Sequence, residues 1–231
     1  MLRFSVIIPT HNRPHFLAEA VQSVMAQEKV AFEIIVVNDG EPLPPFSDDR
    51  RLRHFENARR GAIAARNLGV SAARGEFILW LDDDDILLDP AYLMKAEALL
   101  AKGAGLVHCD GVMLFADGRA PRPFAHEADA ASLAGNNTIL ISGVCYRRQL
   151  HDELGGFDPA LPYYADWDWY LRVARAGHPL ARIAEQSVGI RIHAANTSGE
   201  STQAARQANL NALSHKHDLG PLTLKTHVDF V

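Results

Sequence analysis

The chain has 231 residues, 48% hydrophobic and 22% charged: long enough for one large α/β domain or at most two small ones, and apolar enough to bury a core without disulfides. Its formal charge of −5 argues against broad nucleic-acid binding, which normally shows a basic patch. The only two cysteines, Cys109 and Cys145, are far apart and lack CxxC spacing, so neither a zinc site nor a disulfide framework is indicated.

Phe4–Pro9 predicts a buried β-branched strand that ends in Pro9-Thr10-His11-Asn12-Arg13-Pro14. Pro14 suits a helix start, and Phe16, Leu17, Ala20, Val21 and Val24 follow at helical spacing. Phe32–Val37 is a second buried strand, ending in Asn38-Asp39-Gly40 and completing a βαβ unit. Glu41–Asp49, with three prolines, is loop; Leu52–Phe55 is a short strand and Gly61–Ala73 an alanine-rich helix. Glu76–Leu81 is the third strong strand and runs straight into Asp82-Asp83-Asp84-Asp85.

A helix from Asp89-Pro90 to Lys102 is expected next, with Asp89 as N-cap and Pro90 at its first position. Gly105–Asp110 and Val112–Phe115 read as strands flanking a turn, Ala116–Gly135 as irregular, and Thr138–Tyr146 as strand. Gly155–Pro159 is a turn, Asp166–Ala176 a helix, and Ser187–His193 a last strand; the polar tail from Asn196 is helical first and then loose. No internal repeat or low-complexity tract occurs. No run approaches the ~18 apolar residues of a membrane span and Phe4–Ile8 is too short for a signal peptide, so the expected location is cytoplasmic. Peripheral contact at the inner membrane face stays compatible with this, because acting on a lipid-linked substrate needs no span.

Four adjacent carboxylates repel one another, and a site that gathers them usually holds a cation or electropositive ligand. Taken alone, the run is either such a site or a solvated acidic cluster before a helix. Asp39 is either a ligand contact or part of an Asp-Gly hairpin turn, although no return strand follows. Asp166 is either a general base or a helix N-cap, His193 either a ligand or a packed histidine, and Trp169 reads as core. Three strand tips, at Thr10, Asp39 and Asp82–Asp85, are expected to share one crevice, since ligands of open parallel sheets bind outside the carboxyl ends of the strands.

Six motifs occur in order: Val6–Arg13, Glu33–Gly40, Ala65-Arg66-Asn67-Leu68-Gly69, Gly75–Asp85, Gly155-Gly156-Phe157-Asp158 and Asp166-Trp167-Asp168. This succession, covering residues from about 4 to about 198, resembles the family 2 inverting glycosyltransferases of GT-A fold. The resemblance implies an α/β architecture with a Rossmann-like, mainly parallel central sheet, helices on both faces and the nucleotide site at the strand C-terminal ends. It implies one GT-A domain over residues 1–200, with a nucleotide-sugar half to about residue 110 and an acceptor half beyond, and a C-terminal tail over 201–231.

It also implies transfer of a sugar from a nucleotide diphosphate sugar, a UDP-sugar favoured, to a carbohydrate or lipid-linked hydroxyl acceptor. Pro9 and Thr10 would lie against base and ribose, and Asp39 would bond the base. Asp82 and Asp83 fall where the family's ribose and phosphate contacts lie, and Asp84 at its metal carboxylate. Asp166 corresponds to the catalytic base, although Ala165 replaces the acidic residue that usually precedes it. His193 resembles a late histidine that completes the metal or diphosphate site.

An oxygen-only set suits Mg²⁺ or Mn²⁺, and an imidazole ligand tilts the choice toward Mn²⁺. Arg66 and Arg191 are candidates for phosphate or the base edge, since a guanidinium forks onto oxyanions. Tyr163, Tyr164 and Trp167 are candidates for the acceptor sugar. Two other readings compete. One is an inactive nucleotide-sugar-binding domain of the same fold. The other is a nucleotidyltransferase, against which stands the lack of a glycine-rich phosphate loop with a lysine after the first strand.

Overall fold

The computed structural model describes residues 2–44, 48–193, 202–225 and 229. Strands β1 (Phe4–Thr10), β2 (Phe32–Asn38), β3 (Leu52–Glu56) and β4 (Phe77–Trp80) form the first half of a nine-stranded sheet. They lie in the order β3-β2-β1-β4, all parallel. Side chains alternate across it. Phe4, Val6 and Ile8 enter one core with Leu17, Ala20, Val21 and Val24 of helix α1 (Pro14–Met25) and with Leu93 and Ala96 of α3 (Tyr92–Ala101). Ile7, Ile35 and Val37 enter a second core with Ala65 and Val70 of α2 (Ala62–Ala72). Helices on both faces explain why β1 and β2 read as continuous apolar runs.

The second half adds β5 (Ile86–Leu87), β6 (Leu106–Phe115), β7 (Arg122–Phe124), β8 (Cys145–Arg147) and β9 (Leu180–Ile192), in the order β4-β8-β6-β9-β5 with β7 beside β6. Strands β5, β7 and β8 run against the others, so six of the nine share one direction and the sheet is mostly parallel. The helices here are α4 (Ala130–Leu133), α5 (Gln149–Leu154), α6 (Ala165–Arg175) and α7 (Gln203–His217). Two motifs interlock at its edge: Asn67 of α2 donates to the Phe157 carbonyl (2.9 Å) and accepts from the Phe157 N–H (3.0 Å). A Cβ on Gly156 would come within 2.8 Å of that amide, which is why glycine stands there.

Several expectations are corrected. The turn expected between Gly105–Asp110 and Val112–Phe115 does not form: β6 runs unbroken through Gly111, the bulge lies in the facing β9, whose Ile183, Gln186 and Val188 pair with Cys109, Asp110 and Gly111, and Gly111 lets Leu140 approach to within 2.8 Å of its Cβ position. Of the strand expected over Thr138–Tyr146 only the end forms, because Gly143 has φ 94° and residues before it turn away to line the site. Asp89 does not cap α3; the cap is Ala91, and Asp89 folds the preceding turn by accepting from the Ala91 N–H (2.9 Å). The last strand begins at Leu180, because β6 offers it an edge along its whole length. Ala116–Gly135 contains β7 and α4, whose Asp129 and Ser132 form a capping box. Helix α5 had no recognised signal. Asn196–Ser201 lie outside the described residues.

Cys109 and Cys145 are buried free thiols. No helix among the described residues is long and apolar enough to cross a membrane.

Candidate functional site

The carboxyl ends of β1, β2 and β4 open into one crevice of about 480 Å³, lined by Pro9, Thr10, Asp39, Arg66, Asp82–Asp85 and Asp166 among others. Parallel order makes this unavoidable, because β1, β2 and β4 must end on the same side. At the β2 tip, Asp39 accepts from Asn57 Nδ2 (2.6 Å) through one oxygen and from the Gly61 N–H (3.0 Å) through the other. A Cβ on Gly40 would overlap Asn12 Oδ1 at 2.3 Å, and the next strand is parallel, so the Asp-Gly pair is no hairpin turn.

The four aspartates do not act as a block. Asp83 turns back to β1, accepting from Thr10 Oγ1 (2.7 Å) and the His11 N–H (3.4 Å). Asp82 accepts from Arg66 Nη2 (2.6 Å). Asp84 pairs with Arg13 and lies 3.1 Å from His193 Nε2. Asp85 accepts from Ser142 Oγ (2.5 Å) and the Arg191 N–H (3.1 Å), while Ser142 accepts from the Asp82 N–H (3.0 Å). Carboxylate oxygens of Asp82, Asp84 and Asp85 all lie within 4.8 Å of one another.

Burial pushes the Asp83 carboxyl up to about 6 against the pull of Arg13. Enclosure raises Asp82, with Arg66 opposing, and burial beside Asp84 and Asp82 raises Asp85 well above the usual range. Crowded, desolvated carboxylates are unfavourable without a counter-charge. Three hard oxygen donors at this spacing therefore fit a divalent cation such as Mg²⁺ or Mn²⁺, with the His193 imidazole beside them.

Across the crevice, Asp166 sits in the first turn of α6, where the cap is Tyr164, so the N-cap reading fails. Asn137 Nδ2 donates to Asp166 Oδ2 (3.0 Å). Burial raises this carboxyl, opposed by the Trp167 N–H and Arg66. Trp167 lines the crevice and donates to the Leu133 carbonyl (2.8 Å); Trp169 is core. Asp168, fully buried, binds Arg172 (2.9 Å), Lys216 (2.7 Å) and His217 (2.8 Å), fastening α7 to α6. That brings Arg206, Leu210, Thr223 and Lys225 to the crevice.

Every candidate from the sequence except Arg191 and His193 lines the crevice. Arg191 turns its guanidinium to Glu19 and the Asp84 carbonyl, and its backbone rather than its side chain supports Asp85. Arg13, Asn137 and Ser142 join the site, as do Arg206 and Lys225. Arg13 lies in the first motif, where it also suits helix entry. Asn137 and Ser142 lie in a run that mimics a strand, and Arg206 and Lys225 in a polar tail without periodic signal.

The model of glycosyl transferase family 2 matches residues 5–154. The uncharacterized glycosyltransferase YwdF of Bacillus subtilis (strain 168) is 35% identical over 241 residues, spanning 97% of this chain and 87% of its own. A GalNAc(5)-diNAcBac-PP-undecaprenol beta-1,3-glucosyltransferase of Campylobacter jejuni is 38% identical over 100 residues, which is 39% of this chain and 32% of that one. Among solved structures, S. aureus TarS 1-349 in complex with UDP-GlcNAc superposes with a TM-score of 0.70 at 18% identity, covering 93% of this chain and 66% of that one. The mannosyltransferase PcManGT from Pyrobaculum calidifontis, in complex with GDP-Man and Mn²⁺, gives 0.65 at 19% identity, covering 95% and 65%. At these identities the superpositions establish the GT-A fold.

Proposed function

Because the chain belongs to glycosyl transferase family 2, we propose that its crevice moves a sugar from a nucleotide diphosphate sugar, a UDP-sugar foremost, to a hydroxyl of a carbohydrate or lipid-linked acceptor, inverting the anomeric centre. The observation that carries this is the placement of the Asp82, Asp84 and Asp85 cluster and of Asp166 in one crevice. The bound UDP-GlcNAc of TarS, the GDP-Man and Mn²⁺ of PcManGT and the lipid diphosphate in the Campylobacter enzyme's name support donor, metal and acceptor class.

Asp39, oriented by Asn57 and Gly61, accepts a base N–H, while Pro9 and Thr10 flank base and ribose. Arg66 and Asp82 form a pair directed at ribose and phosphate, and Asp83 holds the β1 tip in register with the β4 tip. Asp84, with Asp82 and Asp85 within reach and His193 beside it, would hold a divalent ion, which when bound would supply positive charge to offset that of the departing diphosphate. Asp166 Oδ takes the proton of the acceptor hydroxyl as that oxygen attacks the anomeric carbon. The attack comes from the face opposite the diphosphate, and the bond from carbon to phosphate oxygen breaks. Asn137 fixes the carboxylate for that step. No covalent nucleophile is needed.

The test is nucleoside diphosphate release from a panel of sugar donors with Mn²⁺, with and without acceptors. Asp166→Asn is expected to keep UDP affinity within about twofold and lose about 10²- to 10⁴-fold in turnover. Wild-type turnover in that variant refutes the base assignment, and pyrophosphate release from a nucleoside triphosphate would favour nucleotidyl transfer instead.

A further inference from the structure

We infer that Phe16 is a positioning residue for the divalent ion: its ring fixes the His193 imidazole beside Asp84, and through that imidazole makes the site prefer Mn²⁺ to Mg²⁺. The inference rests on the reading of Asp82, Asp84 and Asp85 as an ion site. Helix α1 buries Leu17, Ala20, Val21 and Val24 in the core, whereas Phe16 is half-buried and turns to the end of β9. Its ring lies nearly parallel to the His193 imidazole, with centroids 5.1 Å apart and planes 16° from each other. The Arg191 guanidinium lies 5.3 Å from the centre of the same ring.

Arg191 and His193 are two residues apart at the end of a strand, so their side chains fall on one side. Phe16 and Glu19 are three apart on a helix, so theirs share a face. Glu19 pairs with Arg191 where Phe16 stacks on His193, and one turn earlier Arg13 pairs with Asp84. The ladder of β9 with β6 ends at Ile192, one residue short of His193. Backbone pairing therefore leaves the direction of the imidazole to side-chain contacts. A parallel stack engages the face of that ring and keeps its edge, where Nε2 sits 3.1 Å from Asp84 Oδ2, directed at the carboxylates. A ring nitrogen binds an ion in the plane of the imidazole, so fixing the plane fixes the ligand direction. Mg²⁺ keeps to oxygen and water, and of the two ions Mn²⁺ gains more from an imidazole nitrogen. Phe16 thus acts on Mn²⁺ affinity and hardly on Mg²⁺ affinity.

The test uses the full chain. Mn²⁺ is titrated into the protein, with binding followed by loss of the free-ion electron paramagnetic resonance signal, and Mg²⁺ is measured by its displacement of bound Mn²⁺. Wild type is expected to hold Mn²⁺ about tenfold or more tightly than Mg²⁺. In Phe16→Leu, which keeps apolar bulk, Mn²⁺ affinity is expected to fall about tenfold while Mg²⁺ affinity stays within about twofold. Phe16→Tyr, which keeps a ring, is expected to stay within about threefold of wild type for both ions. His193→Gln is expected to lose at least as much Mn²⁺ affinity as Phe16→Leu, and the double variant to lose less than about twofold more than His193→Gln.

An equal fall for both ions in Phe16→Leu overturns the inference, because the ring would then support the carboxylates rather than the imidazole. So does an unchanged Mn²⁺ affinity in that variant, a double variant whose losses add, or a wild type that holds the two ions equally. Wild-type protein that binds neither ion overturns it together with the ion site. The expected pattern of ion binding without donor turnover would strike the transferase reading and leave the role of Phe16 standing.

Discussion

The floor of the crevice, which we propose takes the donor, draws its side chains from short runs that each follow a buried parallel strand, at Thr10, Asp39 and Asp82–Asp85. The opposite wall, proposed to face the acceptor, collects Asn137, Ser142, Asp166, Arg206 and Lys225 from segments scattered between residues 137 and 225. On the floor, backbone pairing fixes the positions and side chains only adjust orientation. On the wall, position itself depends on side-chain contacts: Asn137 to Asp166, Asp168 to α7, Lys225 to Asn136. Donor handling should therefore survive damage to the wall, while acceptor handling should not.

The largest effect expected is from Asp84→Ala, with about 10³-fold or more lost from metal-dependent turnover. UDP affinity with Mn²⁺ should fall to its level without metal. Unaltered metal dependence would move the ion elsewhere. Next is Asp168→Ala, which leaves Arg172, Lys216 and His217 without their shared carboxylate. A loss of about 3 kcal/mol in unfolding free energy is expected, with a raised acceptor KM and unchanged UDP affinity. Equal damage to donor and acceptor binding would erase the distinction between floor and wall.

A pH effect of similar size comes from His151, behind the wall. Its Nδ1 accepts from Trp169 Nε1 (3.0 Å), and burial, aided by Arg172, pushes the imidazole down to about 4. The unfolded chain takes up this proton below about pH 6.5 and the folded protein only near pH 4. The contribution of His151 to stability is therefore full above pH 6.5 and drops as pH falls toward 4, by up to about 3 kcal/mol. Burial also pushes His108 down to about 4, so it adds a drop in the same window. Melting temperature followed from pH 7 to pH 4 should fall less steeply in His151→Leu. An unchanged slope would assign the effect to His108 alone. The smallest change expected is from Asn57→Ala, which removes one of two donors that orient Asp39. UDP affinity should drop by about tenfold with acceptor binding intact; wild-type affinity would show that the Gly61 N–H suffices.

The same contrast explains what could be read from the chain. The apolar runs of β1, β2 and β4 are strands because both faces are buried, and the polar residues after them land together because the strands are parallel. The turn expected between Gly105–Asp110 and Val112–Phe115 is absent because β9 pairs with β6 on both sides of Gly111, an edge that spacing along the sequence does not reveal. Thr138–Tyr146 has strand composition, yet Gly143 and the contacts of Ser142 bend it into the crevice. Arg206 and Lys225 carry no periodic or motif signal; their place follows from the buried cluster around Asp168.

By itself the sequence determined the α/β class, the family motifs and the polar residues at the strand tips that line the crevice, because strand pattern and strand-end chemistry are local properties. The tertiary structure decided how the four aspartates divide, with Asp83 bound to Thr10 and Asp82, Asp84 and Asp85 clustered. It also decided which distant residues surround Asp166. Both depend on side chains meeting across elements far apart in the chain, which spacing along the sequence does not encode.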